Sequence, residues 1–261
     1  MAKKKKKGGN RTWRFIRRLL LLLFISHLLY IVLLRWVNPP ITLTQLGSWI
    51  SGDGLRRDYI EDDALPYNLK LAVIASEDQL YPDHGGFDWK SIEKAVEYNK
   101  KKPNRVRGAS TISQQVAKNV FLWQGRSWIR KGLEIYFTKM IEWTWGKKRI
   151  LSVYLNVIEM GKGIYGAEAA SQYYFRKPAS KLSRKEAALI AACLPNPKRF
   201  TPQPASHYVN GRSNWIVQQM RFLETDPDVV TVIRNRDPKP AGKPTPAPKQ
   251  RPGAARPIRR K

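Results

Sequence analysis

Three segments of the chain combine ionisable and polar side chains at spacings that could support chemistry. The first, EDQLYPDHGGFD, places four carboxylates and His84 within twelve residues. Glu77 and Asp78 follow an apolar run, where partial desolvation and the negative end of a helix would raise the pKa of a carboxyl group towards that of a general base. A solvated acidic turn around Gly85 and Gly86 has the same composition, so this segment alone leaves both interpretations open.

The second segment, RGASTISQQVAKN at residues 107–119, projects hydroxyls, amides and a lysine from the first turns of a predicted helix. A helix N-terminus flanked by such groups is a favourable place for an anion such as phosphate. The glycine spacing of a P-loop is absent. An ordinary capped helix with a polar face is the alternative. The candidate residues are Ser110, Thr111, Gln115 and Lys118.

The third segment, GRSWIRKGLE, surrounds Glu134 with the cations Arg126, Arg130 and Lys131. Arginine and lysine suit contacts to a pyrophosphate, while Glu134 could tune these cations or hold a divalent ion. The alternative is a surface pair between Arg130 and Glu134, one helical turn apart, which would contribute only a few tenths of a kcal/mol.

Helices are predicted to position these segments. From about residue 69 to residue 223 the apolar residues recur at helical spacing, and no alternation is long enough for a substantial sheet. One helix delivers Glu77 at its end, a second opens near Ser110, and a third carries Arg130 and Glu134. An amphipathic helix follows in KKRILSVYLNVIEM, and another opens at the capping-box pattern that starts at Ser183. The fold class is therefore mainly α.

The N-terminus predicts a membrane anchor. Nine lysines and arginines precede an uncharged apolar run at residues 19–34. This charge bias places the N-terminus in the cytoplasm and exports the rest of the chain. A cleaved signal peptide has a similar pattern, but no small-x-small cleavage site follows the run. The chain carries a net charge of +28, and the apolar run assigns the basic excess to a membrane rather than to nucleic acid.

The composition divides the chain into a basic tail (1–18), a transmembrane helix (19–36), a stalk leading into the domain (37–66), a catalytic domain (67–225) and a tail (226–261) that is rich in Pro, Lys and Arg. The last segment has a composition that cannot bury a core and is predicted to be disordered. Cys193 is the only cysteine, so neither an intramolecular disulfide nor a cysteine-based metal cluster can form.

Together the segments closely resemble the membrane-bound peptidoglycan glycosyltransferases, a family shared with the bifunctional penicillin-binding proteins. The resemblance covers about residues 69–222. It rests on the ordered blocks AVIASEDQLYPDHGGFD, RGASTISQQVAKNVFLW, GRSWIRKGLE, KKRILSVYLNVIEMGKGIYGAEAAS and KPASKLSRKEAALIAACLPNPKRF. Tyr81 stands where the family usually has Phe, and Ser152 replaces a common glutamate. No transpeptidase domain is expected.

The resemblance implies a lysozyme-like helical domain and a role for each matching residue. Glu77 matches the general base that deprotonates the acceptor sugar, and Glu134 matches a second essential carboxylate on the donor side. Residues 89–106 match a mobile, membrane-dipping region. The donor pyrophosphate is expected to contact Gln115, Lys118, Arg126, Arg130 and Lys131. Further substrate-binding candidates in the same motifs are Asp78, His84, Ser110 and Thr111.

The implied reaction is polymerisation of lipid II into β-1,4 glycan by an inverting displacement that releases undecaprenyl pyrophosphate. The implied location is the bacterial inner membrane, with a periplasmic catalytic domain. Expected partners are lipid II, the growing glycan and membrane lipid, with cell-wall or division proteins left open and nucleic acid excluded. No cofactor is expected, with a divalent cation, Mg or Mn, left open. The alternatives are a lytic transglycosylase or lysozyme-like hydrolase and a noncatalytic cell-wall scaffold.

Overall fold

The computed structural model describes residues 9–102, 108–125 and 127–234. The helices within these ranges are α1 (Gly9–Leu33), α2 (Leu43–Ile50), α3 (Tyr67–Glu77), α4 (Trp89–Lys101), α5 (Ile112–Phe121), α6 (Trp128–Thr144), α7 (Lys147–Val157), α8 (Ala167–Phe175), α9 (Arg184–Cys193), α10 (His207–Leu223) and α11 (Pro227–Ile233). The strands are β1 (Arg56–Arg57), β2 (Glu159–Gly161) and β3 (Ile164–Tyr165). The predicted mainly α fold with one apolar N-terminal helix is confirmed.

Helix α1 is the one described helix that is long and apolar enough to cross a membrane, judged by length and composition over Arg11–Leu33. Its leucines are largely exposed, including Leu20 and Leu22 at about 60%. An exposed apolar surface of this kind suits lipid better than water. The helix begins earlier than the predicted span of 19–36 and ends at Leu33, after which residues 34–36 form a turn.

The C-terminal end of α1 is attached to the rest of the molecule. The indole N–H of Trp145 donates to the carbonyl of Ile31 at 2.8 Å. The guanidinium of Arg149 donates to the carbonyls of Leu34 at 2.9 Å and Val37 at 2.7 Å. The carbonyl of Ile31, in the last turn of α1, has no partner within the helix, and the carbonyls of Leu34 and Val37 follow the helix end, so these donors satisfy groups that would otherwise need water.

The predicted stalk at residues 37–66 is folded onto the domain. Thr42 and Gln45 form a capping box that starts α2. The side chain of Gln124 donates to the Thr44 hydroxyl at 2.7 Å, and β1 joins the small sheet beside β3. The prediction of a stalk was wrong for this segment, because Pro and Gly mark its turns but do not reveal that its polar residues are buried against the domain.

The predicted start of the C-terminal tail at residue 226 is also corrected. Asp226 accepts hydrogen bonds from the backbone N–H groups of Asp228 and Val229 and so caps α11. Val229 and Ile233 are both buried, and α11 contacts α3 and α7. Folded structure therefore continues through α11, because Pro227 at the first helical position starts a helix instead of preventing one. The remaining predicted tail, residues 235–261, lies outside the described residues.

Helix α3 forms the centre of the core. Every residue from 69 to 75 is buried, because α9 and α10 pack against the helix and α11 covers a further part. Helix α5 packs between α6 and α7. A helix that is buried on all sides reads as a continuous apolar run rather than an amphipathic stripe. This packing holds Glu77, at the end of α3, against α5 and α10.

The other predicted elements differ from the structure mainly at their ends. Helix α5 begins after Thr111, whose side chain forms a capping box with Gln114. Helix α9 begins after Ser183, which forms the predicted capping box with Glu186. The predicted helix KKRILSVYLNVIEM ends at Val157 and continues into β2. The sheet has the order β1-β3-β2, with β1 parallel and β2 antiparallel to β3, and its strands are only two or three residues long.

Candidate active site

Glu77 is the last residue of α3 and lies in partly buried surroundings. Its carboxylate accepts a hydrogen bond from the side-chain amide of Gln115 at 2.9 Å. Burial raises the pKa of Glu77, whereas the Gln115 hydrogen bond and the positive charge of Arg212 oppose that rise. A carboxyl group with a raised pKa is suited to accept a proton.

Asp78 faces inward and connects two of the three chemical segments. Its Oδ2 accepts from the backbone N–H of Ile112 at 3.0 Å, and its Oδ1 lies 2.9 Å from His84 Nε2. The backbone N–H of Gly86 donates to His84 Nδ1, so the proton on Nε2 is the one donated to Asp78. Asp78 and His84 therefore fix the turn after α3 to the start of α5.

Thr111 also holds the turn after α3 against the start of α5. Its hydroxyl donates to the carbonyl of Gly86 at 2.8 Å and accepts from the backbone N–H of Gln114. Gly86 has a φ of +94°, and a Cβ there would lie 2.7 Å from a methyl group of Thr138, so both the backbone conformation and the close approach require glycine. Ser110, by contrast, is exposed at the rim of two cavities.

The predicted donor side is a cluster of cations around a buried carboxylate. Glu134 accepts from Arg130 at 2.8 Å and from Lys131 at 2.6 Å, and only 3% of its surface is exposed. Lys118 faces the cluster from α5, where burial lowers its pKa and the charge of Glu134 partly offsets this effect. Three cations around one anion leave a net positive site. Arg126 lies outside the described residues.

Two adjoining cavities meet at Glu77 and Gln115. One has a volume of about 570 Å³ and is lined by residues that include Glu77, Ser110 and Trp215. The other has a volume of about 680 Å³ and is lined by residues that include Gln115 and Lys118. Because Glu77 and Gln115 share a hydrogen bond, the first cavity adjoins the second at this bond. Glu77 thus lies between a cavity lined by several carboxylates, including Asp78 and Asp88, and a cavity that reaches Lys118 of the cation cluster.

Sequence reasoning missed two residues beside Glu77. The Tyr154 hydroxyl donates to Gln115 Oε1 at 3.3 Å, and Arg212 on α10 places its charge near Glu77. Tyr154 lies in an amphipathic segment whose pattern predicts a helix but no functional residue. The sequence around Arg212 carries no motif that marks this arginine. Among the described residues no group of three or more His, Cys, Asp or Glu side chains could hold a metal ion. The divalent cation remains a prediction.

Comparison with known proteins agrees with this arrangement. The family model described as Transglycosylase matches residues 44–221. A biosynthetic peptidoglycan transglycosylase of Escherichia coli ATCC 8739 is 50% identical over 224 residues, which cover 82% of this chain and 93% of that relative. The protein of the same description from Shigella boydii serotype 4 is 50% identical over 221 residues, covering 82% and 91%. The chain belongs to the transglycosylase family.

Proposed function

We propose that this chain is a peptidoglycan glycosyltransferase that polymerises lipid II into β-1,4 glycan and releases undecaprenyl pyrophosphate. The observation that carries the proposal is the position of Glu77, which lines one cavity and hydrogen-bonds to Gln115 in the next. Membership of the family and the names of the relatives support the substrate class.

In the proposed reaction Glu77 accepts the proton of the acceptor 4-hydroxyl as that oxygen attacks the anomeric carbon of the donor sugar. The bond between this carbon and the pyrophosphate oxygen breaks, and the pyrophosphate leaves with the electron pair. Because the donor is α-linked and the product is β-linked, one displacement with inversion suffices. Lys118, Arg130 and Lys131 stabilise the negative charge that develops on the leaving group.

Glu134 has a different proposed role. Direct contacts to Arg130 and Lys131 occupy both of its carboxylate oxygens, which makes it a holder of cations rather than a proton acceptor. A carboxylate that binds two cations fixes their geometry before the pyrophosphate arrives. Such preorganisation is a large part of electrostatic catalysis.

The proposal includes a location and partners. The apolar α1 anchors the chain in the bacterial inner membrane, the N-terminus is cytoplasmic, and the catalytic domain is periplasmic. Lipid II, the glycan product and membrane lipid are the expected partners. A lytic transglycosylase would use Glu77 as a general acid on finished glycan, and a scaffold would have no activity. The cation cluster favours synthesis, because glycan cleavage leaves no pyrophosphate to bind.

The decisive experiment is polymerisation of purified lipid II by the full-length protein in lipid bilayers, with a parallel assay for cleavage of finished glycan. Glu77→Gln should lower the polymerisation rate by about 10²–10⁴-fold because it removes the proton acceptor. Glu61→Gln, the same change at an exposed site, should have no effect. Near-normal synthesis by Glu77→Gln would overturn the base assignment, and cleavage without synthesis would favour the hydrolytic alternative.

The same variant has a stability signature. Because burial raises the pKa of Glu77, ionising this residue costs the folded state free energy at neutral pH. The contribution of Glu77 to stability is therefore full below its ordinary pKa and falls as the pH rises through the raised value. Glu77→Gln should melt at the same temperature as the parent protein or higher at pH 7, and this advantage should disappear under acid conditions.

A further inference from the structure

Three side chains from three helices form a hydrogen-bonded row that ends at the proposed base. The Tyr154 hydroxyl on α7 donates to Gln115 Oε1 on α5 at 3.3 Å. Gln115 Nε2 donates to Glu77 Oε2 at the end of α3 at 2.9 Å. Tyr154 is completely buried, whereas Gln115 and Glu77 both reach the cavities.

The chemistry of the amide makes this row directional. A glutamine amide has a donor end and an acceptor end, and an ionised carboxylate can only accept. If the acceptor end of Gln115 is held by a donor, the amide N–H must face Glu77. If that donor is lost, the amide can turn and present its oxygen, which suits only a protonated Glu77.

We propose that Tyr154 is a positioning residue that orients the Gln115 amide, so that its N–H holds the Glu77 carboxylate ionised and directed into the cavity. This inference rests on the proposed role of Glu77 as the base. It adds a residue that touches neither the acceptor nor the donor and acts only through Gln115.

The surroundings of Glu77 are consistent with this role. Arg212 from α10 and Gln115 from α5 favour the ionised carboxylate, while burial and the neighbouring charge of Asp78 favour the protonated form. Burial also raises the pKa of Tyr154 well above its usual value, and the charges of Glu77 and Asp78 act in the same direction. Tyr154 therefore keeps its proton and remains a donor throughout the working pH range.

The test compares Tyr154→Phe with Tyr81→Phe in the full-length protein. Tyr81 is equally buried, but its hydroxyl donates to the backbone carbonyl of Lys147 and has no part in the row. Tyr154→Phe should lower kcat/KM for lipid II about tenfold at neutral pH. The acid limb of its pH profile of kcat/KM should also move to higher pH, because the Glu77 carboxylate loses the oriented amide donor of Gln115 and its pKa rises. Tyr81→Phe should show a similar change in melting temperature with an unchanged acid limb.

A double-mutant cycle separates positioning from packing. Gln115→Met removes the amide at similar size and should by itself shift the acid limb to higher pH, even if Tyr154→Phe does not fold. Adding Tyr154→Phe to Gln115→Met should change neither the rate nor the pH profile further. If the losses in kcat/KM of Tyr154→Phe and Gln115→Met multiplied in the double variant, the inference would be overturned. It would also be overturned if the pH profile of Tyr154→Phe matched that of Tyr81→Phe. An inactive Glu77→Gln protein in the same assays would still support the base assignment, whereas near-normal synthesis by Glu77→Gln would overturn that assignment, on which this inference rests.

Discussion

Two carboxylates in this site are buried in different electrostatic surroundings. Glu77 meets one amide donor and the more distant charge of Arg212, and burial raises its pKa. Glu134 meets Arg130 and Lys131 directly. The same functional group therefore contacts a neutral amide in one place and two cations in the other. This difference, rather than the residue type, assigns the two proposed roles.

At the residue scale, replacing Lys118 should lower activity without lowering the melting temperature. Burial lowers the pKa of Lys118, so its charge is unfavourable in the folded protein. Lys118→Met keeps the aliphatic stem and removes that charge. It should melt at the same temperature as the parent protein or higher, while polymerisation of lipid II falls about 10- to 100-fold through weaker stabilisation of the leaving group.

Lys181→Met is the matched control for this prediction, because Lys181 is an exposed lysine outside the two cavities that meet at Glu77. It should leave both activity and melting unchanged. A Lys118→Met protein that unfolds at a clearly lower temperature would show that Lys118 mainly serves the structure of the cation cluster.

At the scale of the elements, the site depends on how α3, α5 and α6 are joined. Asp78 connects the end of α3 to the first N–H of α5 through Ile112 and to the intervening turn through His84. Glu134 and Thr138 lie on α6, and Thr138 closely approaches the turn at Gly86. A shift of any one of these helices would therefore move Glu77 relative to the cations.

Asp78→Ala should accordingly act on folding. The change leaves the Ile112 N–H and His84 without their buried partner, which costs about 3 kcal/mol of the free energy of unfolding. Thermal melting and chemical denaturation of the full-length protein in detergent would measure this loss. A variant that melts normally but no longer binds substrate would instead assign Asp78 to direct substrate contact.

At the scale of the whole molecule, the apolar helix α1 is joined to a helical domain. Trp145 and Arg149 donate to carbonyls in and just after the last turn of α1, so this helix meets the domain through defined hydrogen bonds. His27 on α1 also packs against Tyr136 and Phe137 of α6, the helix that carries the cation cluster. This arrangement relates the position of the cations to the position of α1.

Two C-terminal truncations should behave differently. Deleting residues 235–261 removes a segment whose composition predicts no core, and activity should be retained. Deleting residues 226–261 also removes α11 with its buried Val229 and Ile233, and should cost about 3 kcal/mol of stability. Melting of the two proteins beside the full chain measures the difference. Equal melting temperatures would show that α11 contributes little to the core.

The membrane topology can be measured with two reporters fused after Arg234. The nine positive charges before the apolar run predict an exported C-terminal side. Alkaline phosphatase, which needs an oxidising compartment, should therefore be active, while a fluorescent protein that matures only in the cytoplasm should stay dark. The opposite pair of results would place the catalytic domain in the cytoplasm and contradict the proposed location.

The sequence by itself determined the helical class, the apolar N-terminal helix and the capping box at Ser183, and it singled out the two carboxylates as candidates. Each of these depends on residues within a few helical turns, where spacing alone carries the information. It did not show that Asp78, His84 and Thr111 would face inward.

The tertiary structure decided which distant side chains meet. Glu77 and Gln115 are 38 positions apart, and Arg212 approaches the backbone of Ser76 across 136 positions. It also decided the domain boundaries, since α2 and α11 are stabilised by burial against other helices. The orientation of the Gln115 amide depends on Tyr154 from a third helix. Local propensity contains no information about such contacts, because packing between helices far apart in the chain creates them.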